Sequence, residues 1–138
     1  MKPEFLRVPD GRASLSPGRW TVRSESDPLT DVLVCAPAHL APVPCCSATR
    51  ESLSCGFATD TALALAQHRR LRAVLAEQGV RCHRLDPVAG LPDLCFTRDC
   101  AVVTPWGPVL LNPAMPHRRR EVRQVERSEE HTSELQSH

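Results

Sequence analysis

Short apolar blocks, separated by stretches rich in proline and glycine, predict a mixture of strands and helices. Residues 31–36 form an apolar run that predicts a buried strand, and residues 80–85 predict a second strand. Residues 94–104 predict a third strand, which a turn at residues 105–107 joins to residues 108–111 in a hairpin.

A helix is predicted between these strands, with an N-terminal cap at Thr59 or Asp60 and a stop at Gly79. Periodicity alone accounts for His68, so a half-buried structural histidine is favoured over a catalytic one. The predicted apolar face of the helix consists of Ala64, His68, Leu71, Val74 and Leu75.

The remaining segments complete an α/β order of elements. Residues 1–18 are rich in Pro, Gly, Ser and charge and predict a flexible arm. Residues 37–57 contain several prolines and predict a long loop, and a charged helix is predicted from Arg118 onward. The strands are too few to complete a sheet, so the domain at residues 19–126 is expected to be incomplete.

The composition argues against a nucleic-acid-binding, membrane-spanning or secreted protein. The 138 residues suffice for one small domain, and a net charge of +1 gives no reason to expect nucleic acid as a partner. No apolar run approaches the roughly 20 residues of a membrane span, and the first residues lack a signal-peptide core. We therefore expect a cytoplasmic protein with no membrane partner and no cofactor.

The seven cysteines are an odd number, and without a secretion signal they do not predict a disulfide framework. Four of them are expected to be small core residues on strands: Cys35, Cys82, Cys95 and Cys100. The other three lie near one histidine at a spacing that matches no structural zinc pattern, so no metal site is predicted. This local group is His39, Cys45, Cys46 and Cys55.

The C-terminal residues 127–138 read Arg-Ser-Glu-Glu-His-Thr-Ser-Glu-Leu-Gln-Ser-His. All twelve resemble the conceptual translation of a sequencing-library adapter, so we treat them as a non-native tail and exclude them from fold reasoning. The resulting hypothesis is that the natural product continues beyond Glu126. A stop codon directly after codon 138 in clean genomic DNA would refute it.

Two carboxylates and an aromatic residue lie close together in residues 91–99. A carboxylate matches the fork of a guanidinium with two parallel charge-assisted bonds, so Asp93 and Asp99 predict a grip for a cationic ligand. On a regular strand both would face one side, and Phe96 would need a bulge to join them. The alternative is an internal ion-pair network of Asp93, Arg98 and Asp99.

The sequence Pro-Asp-Leu-Cys-Phe-Thr-Arg-Asp at residues 92–99 resembles the guanidino-group-modifying enzymes. These include arginine deiminase, dimethylarginine dimethylaminohydrolase and the amidinotransferases. Residues 21–25, 33–37 and 113–119 are also similar to the family, so the resemblance covers about residues 20–125.

The resemblance implies a role for four residues in binding substrate. Asp99 matches the aspartate that holds the substrate guanidinium, and Asp93 matches a residue that lines the same site. Phe96 matches an aromatic wall beside the guanidinium plane. Arg118 matches an arginine near the substrate carboxylate, and the loop at 37–57 matches an active-site lid.

Two departures leave the substrate open between arginine and a methylated arginine. Arg98 follows the deiminase pattern, whereas the hydrolase has a glutamate there, and Asn112 stands where an arginine is common.

The family fold implies a five-bladed α/β propeller of ββαβ units, of which this chain would be the N-terminal part. Its chemistry implies a cysteine thiolate that attacks the guanidinium carbon, assisted by a histidine and an acidic residue. All three are expected beyond residue 126, so no residue of this chain is predicted to be catalytic, and the chain alone is expected to be inactive. An amidinotransferase and a non-catalytic guanidine-binding protein are the alternatives, and whether the full-length protein is a homo-oligomer stays open.

Overall fold

The computed structural model describes the backbone of residues 20–134 and the side chains of residues 20–127. The predicted arm at residues 1–18 lies outside this range. Within it, helices and strands are mixed, which confirms the α/β class. The elements are β1 (Asp31–Cys35), α1 (Ser47–Ser54), α2 (Thr61–Glu77), β2 (Arg81–Leu85), β3 (Ala101–Thr104), β4 (Gly107–Leu110) and α3 (Arg119–Glu134).

Strands β1 and β2 pair in parallel, with Asp31 opposite Arg81 and Cys35 opposite Leu85. Parallel neighbours need a crossover connection, and α2 lies within the one that joins them. Both strands fall where the sequence predicts them.

Helix α2 confirms the predicted end signals. The Asp60 carboxylate accepts a hydrogen bond from the Leu63 amide at 2.9 Å, as an N-terminal cap does. Gly79 has a φ of +76°, a conformation that side chains disfavour, and it turns the chain out of the helix.

The apolar face of α2 is only partly covered. His68 is half-buried, as predicted, and burial together with the nearby Arg72 cation lowers its pKa. Leu71 and Val74 on the same face are 53% and 44% exposed, because the two-stranded sheet beneath α2 is too narrow to cover them.

The prediction that residues 37–57 form one long loop is wrong, because α1 occupies its second half. Cys46 is extended at the N-cap, and its amide donates to the Thr49 hydroxyl at 3.2 Å. The helix buries none of its eight residues, and only Ala48 and Leu53 are apolar, so the sequence offers too few apolar positions to indicate a helix.

The predicted hairpin is confirmed, with β3 and β4 antiparallel and Val102 opposite Val109. The predicted strand at residues 94–104 is correct only from Ala101 onward. Residues 92–100 instead form tight turns that end in a short 3-10 helix at Thr97–Asp99.

The core lies where the parallel pair, these turns and α3 meet. Helix α3 contributes Val125, which is 2% exposed, and the partly buried Val122. Within residues 20–134, no helix combines the length and apolar character needed to cross a membrane. The buried cluster is Cys35, Leu85, Leu91, Leu94, Cys100 and Val125.

Candidate functional site

The candidate site is built on a run of tight backbone turns between residues 91 and 100. The amide of Leu94 donates to the Leu91 carbonyl, that of Phe96 to the Asp93 carbonyl, and that of Asp99 to the Phe96 carbonyl. Each bond spans three residues, which is the pattern of a 3-10 helix, where side chains three positions apart share a face.

This spacing sorts the side chains into two sets. Leu91, Leu94 and Cys100 point inward and are at most 3% exposed. Asp93, Phe96 and Asp99 follow the same period of three on a different face.

The structure therefore corrects the strand geometry that the sequence predicts. A strand period of two would separate Phe96 from Asp93 and Asp99, and a bulge would be required. The period of three brings the aromatic ring and both aspartates to the same side without a bulge.

Arg118 joins Asp93, Phe96 and Asp99 from a separate segment of the chain. It ends a 3-10 turn, Pro116–Arg118, that leads into α3. Its Nη1 donates to the Asp99 carboxylate, and its Nη2 donates to the carbonyl oxygens of Asp93 at 2.9 Å and Phe96 at 3.3 Å. All four residues predicted to bind substrate thus lie together.

Two further residues of the site were missed by sequence reasoning. Glu121 is fully buried, accepts from Arg118 Nε at 2.7 Å, and accepts from the Asp93 amide at 3.1 Å. His117 Nε2 lies 2.9 Å from Asp93 Oδ2.

A signal for Glu121 does exist in the sequence. It lies three residues after Arg118 and four before Val125, so it shares a helical face with a core residue. No pattern singles out His117 beyond its place next to Arg118.

The electrostatics of the cluster favour a charged Arg118. Burial alone would lower the pKa of Arg118, but the bonds to Glu121 and Asp99 outweigh it and raise that pKa. The Arg118 side chain is 11% exposed. A buried guanidinium with a carboxylate on two of its nitrogens is the kind of ion pair that tolerates burial.

The outer side of the cluster is open. The Asp99 side chain is 56% exposed although it holds Arg118, and Phe96 is 48% exposed. The Arg118 guanidinium carbon lies 5.9 Å from the centre of the Phe96 ring, within the range of a cation–π contact.

A cleft of about 250 Å³ shares the Phe96 side chain with the cluster. It runs between β1, α2 and the turns, so Phe96 borders both the ion-pair cluster and the cleft. Apolar side chains form most of its wall, and His68 and Gln67 add polar groups. The lining residues include Leu33, Leu40, Ala64, His68, Leu71 and Phe96.

The alternative prediction of an internal ion-pair network is correct, but it named the wrong arginine. The guanidinium that reaches Asp99 belongs to Arg118, whereas Arg98 is exposed and lines a different cleft beside Val103 and Leu29. The cluster is thus an internal ion-pair network whose acidic edge also faces solvent.

The cysteines beside the cluster are poor nucleophiles. Burial raises the pKa of Cys95, and it raises the pKa of Cys100 to about 11 and that of Cys35 to about 12. A nucleophilic cysteine needs the opposite shift, because the thiolate is the reactive form.

No protein-family model matches the chain, and a search of curated proteins found no match.

Proposed function

We propose that this chain supplies the guanidinium-binding part of an enzyme that hydrolyses a C–N bond of arginine or a methylated arginine. Arg118 supports this proposal, because its guanidinium already lies against the carboxylate of Asp99, the ring of Phe96 and two backbone carbonyls. These groups are the ones that a substrate guanidinium would need.

In this proposal Arg118 is an anchor and the substrate binds on the outer side. Arg118 fixes the Asp99 carboxylate through Oδ2, and more than half of the Asp99 side chain faces solvent. An incoming guanidinium would pair with that exposed carboxylate and lie along the open face of Phe96. The rest of the substrate would occupy the adjoining cleft.

The role that the family resemblance implies for Arg118 is modified accordingly. Four of its five N–H groups are already directed at acceptors of the protein. We propose that it orients Asp99 and Phe96, and that it does not act as the main partner of a substrate carboxylate.

The resemblance also supports the wider proposals. The strands and helices would be the first part of a five-bladed α/β propeller of ββαβ units in a cytoplasmic enzyme. The attacking cysteine, the histidine and the acidic residue would come from outside residues 20–126. The raised pKa values of Cys95 and Cys100 agree with giving neither of them the attack.

Isothermal titration calorimetry with arginine tests the binding site. We expect saturable heat with arginine and none with lysine, because an ammonium cannot form the two parallel bonds. Asp99→Asn should weaken arginine binding at least tenfold, since a charge-assisted pair is worth about 1.5 kcal/mol or more. The matched control is Asp27→Asn, which changes an exposed aspartate that does not belong to the cluster. Equal affinities for arginine and lysine would contradict the proposal.

A non-catalytic guanidine-binding protein is the second candidate. The cluster favours it in one respect, because no cysteine beside it has the lowered pKa of a nucleophile. A gene product that extends past residue 126 separates the candidates. Citrulline formation from arginine would identify a hydrolase, transfer of the amidino group to an added amine would identify an amidinotransferase, and binding with neither product would identify a binding protein.

A further inference from the structure

Two adjacent thiols on the segment before α1 remain outside the site described above. Cys45 and Cys46 are both exposed, and α1 begins directly after Cys46. Consecutive residues joined by a trans peptide have Cα atoms about 3.8 Å apart, so the two sulfur atoms can reach one common atom.

The surroundings of Cys46 stabilise its thiolate. The hydroxyl of Thr49 lies 3.4 Å from Cys46 Sγ. This hydroxyl contributes most to lowering the pKa of Cys46, and the backbone amides of Thr49 and Ala48 and the Cys45 thiol add to it.

The other thiols of the chain contrast with this pair. Cys35 and Cys100 are buried, and Cys82 and Cys95 are half-buried. Cys55 is exposed, but it lies at the far end of α1, eight helical residues away from Cys46. It therefore serves as a matched control for exposure alone.

We propose that Cys45 and Cys46 form a reactive surface dithiol that exchanges with low-molecular-weight disulfides, beginning at Cys46. The Cys46 thiolate attacks one sulfur of the small disulfide, whose S–S bond breaks and releases one thiolate. Cys45 then loses its proton to solvent and attacks the Cys46 sulfur, which releases the second small thiol. Two protein thiols are oxidised and one small disulfide is reduced to two thiols.

The product is readily reversed. A Cα separation of about 3.8 Å is shorter than the usual range for a disulfide, so a bond between neighbouring cysteines is strained and easily reduced. The dithiol is thus a reversible oxidation site on residues 37–57, independent of the guanidinium-binding proposal.

A trivalent organoarsenical, which binds two thiols at once, tests the pairing. One equivalent of phenylarsine oxide added to the full chain should block two thiols from alkylation by iodoacetamide. Cys45→Ser and Cys46→Ser should each abolish this paired protection, and Cys55→Ser should retain it. Paired protection that survives in Cys45→Ser and Cys46→Ser, or is lost in Cys55→Ser, would overturn the proposal.

Oxidised glutathione tests the order of reaction, with peptide mass spectrometry as the readout. The first adduct is expected on Cys46, followed by a disulfide within the peptide that contains Cys45 and Cys46. Thr49→Val should slow the first step roughly threefold, because the loss of thiolate is only partly offset by the greater nucleophilicity of a more basic thiolate. Thr49→Ser keeps the hydroxyl and should restore the rate. A first adduct on Cys55, or an unchanged rate in Thr49→Val, would overturn the proposal.

Discussion

Two clusters of the molecule combine an aspartate, a histidine and an arginine, but they expose opposite charges. At the candidate site, the Arg118 side chain is 11% exposed and Asp99 is 56% exposed. At the start of the parallel sheet, Asp31 is 12% exposed and Arg81 is 68% exposed. One cluster thus presents carboxylate to solvent and the other presents guanidinium.

The backbone explains the difference. Asp31 begins β1 opposite Arg81 of β2, so the strand register alone brings the pair together, and His83 Nε2 lies 2.8 Å from the same carboxylate. Arg118 instead donates to two backbone carbonyls, of Asp93 and Phe96, that the turns at residues 92–99 direct toward it. An exposed acidic edge over a buried cation can bind a further cation, whereas the sheet cluster has no such edge.

The largest expected effect comes from removing the buried cation. Arg118→Ala leaves the fully buried Glu121 without its charged partner, so we expect a loss of about 3 kcal/mol in the free energy of unfolding. Urea denaturation measures this loss. The control is Arg119→Ala, which removes an exposed neighbouring arginine and should change stability by no more than about 0.5 kcal/mol. Equal losses of unfolding free energy in both variants would show that the Arg118 ion pairs do not stabilise the fold.

The sheet cluster should respond to acid. Burial would raise the pKa of Asp31, but hydrogen bonds from His83, Arg81 and Thr30 outweigh it and lower that pKa from 3.8 to about 2. Because the folded-state pKa is lowered, this stabilisation is present above pH 4 and is lost as the pH falls from about 4 to about 2. Allowing for screening at the exposed Arg81, the loss is about 1–2 kcal/mol.

Asp31→Asn isolates this contribution from the other carboxylates that titrate in the same range. The difference in unfolding free energy between the unmodified chain and Asp31→Asn should shrink as the pH is lowered from 4 to 2. A difference that stays constant across that range would contradict the assignment.

A smaller effect is expected from removing the hydrogen bond between His117 and Asp93 in the candidate site. This bond of 2.9 Å is partly buried, so His117→Ala should cost about 1 kcal/mol. Thermal unfolding measures this, with His39→Ala as an exposed control that should be near neutral. A neutral His117→Ala would mean that Arg118 and Glu121 hold Asp93 without help.

The smallest effect is expected at Arg81. Its ion pair with Asp31 is at 2.9 Å, but the arginine is mostly in water, so Arg81→Ala should cost roughly 0.5 kcal/mol and less at high salt. Unfolding at low and at 1 M salt measures it. A loss as large as that of Arg118→Ala would remove the distinction between the two clusters.

Sequence patterns predicted those parts of the fold that local chemistry determines. The apolar run at residues 31–36 was enough to place β1. The Asp60 cap and the Gly79 stop placed the two ends of α2, and the turn after Thr104 placed the hairpin of β3 and β4. Helix α1 was missed because it is short and only two of its residues, Ala48 and Leu53, are apolar.

The sequence identified most of the residues of the candidate site but not the backbone geometry that arranges them. Apolar residues at 94, 101, 102 and 103 suggested a strand, whereas the burial of Leu91, Leu94 and Cys100 follows a period of three. Which guanidinium Asp99 would meet depended on the docking of α3, a tertiary contact between residues 19 positions apart. No local pattern contains that information.

Asp99 and Phe96 are proposed to bind a guanidinium on their open side. Two-dimensional NMR of the ¹⁵N-labelled chain tests this proposal directly during titration with methylguanidinium, with methylammonium as the matched cation. We expect saturable shifts of the Phe96 and Asp99 amides and of the Arg118 side-chain Nε–H signal with methylguanidinium alone. We expect no such shifts at Asp31 or Arg81. Unchanged signals at Phe96 and Asp99, or equal shifts with both cations, would contradict it.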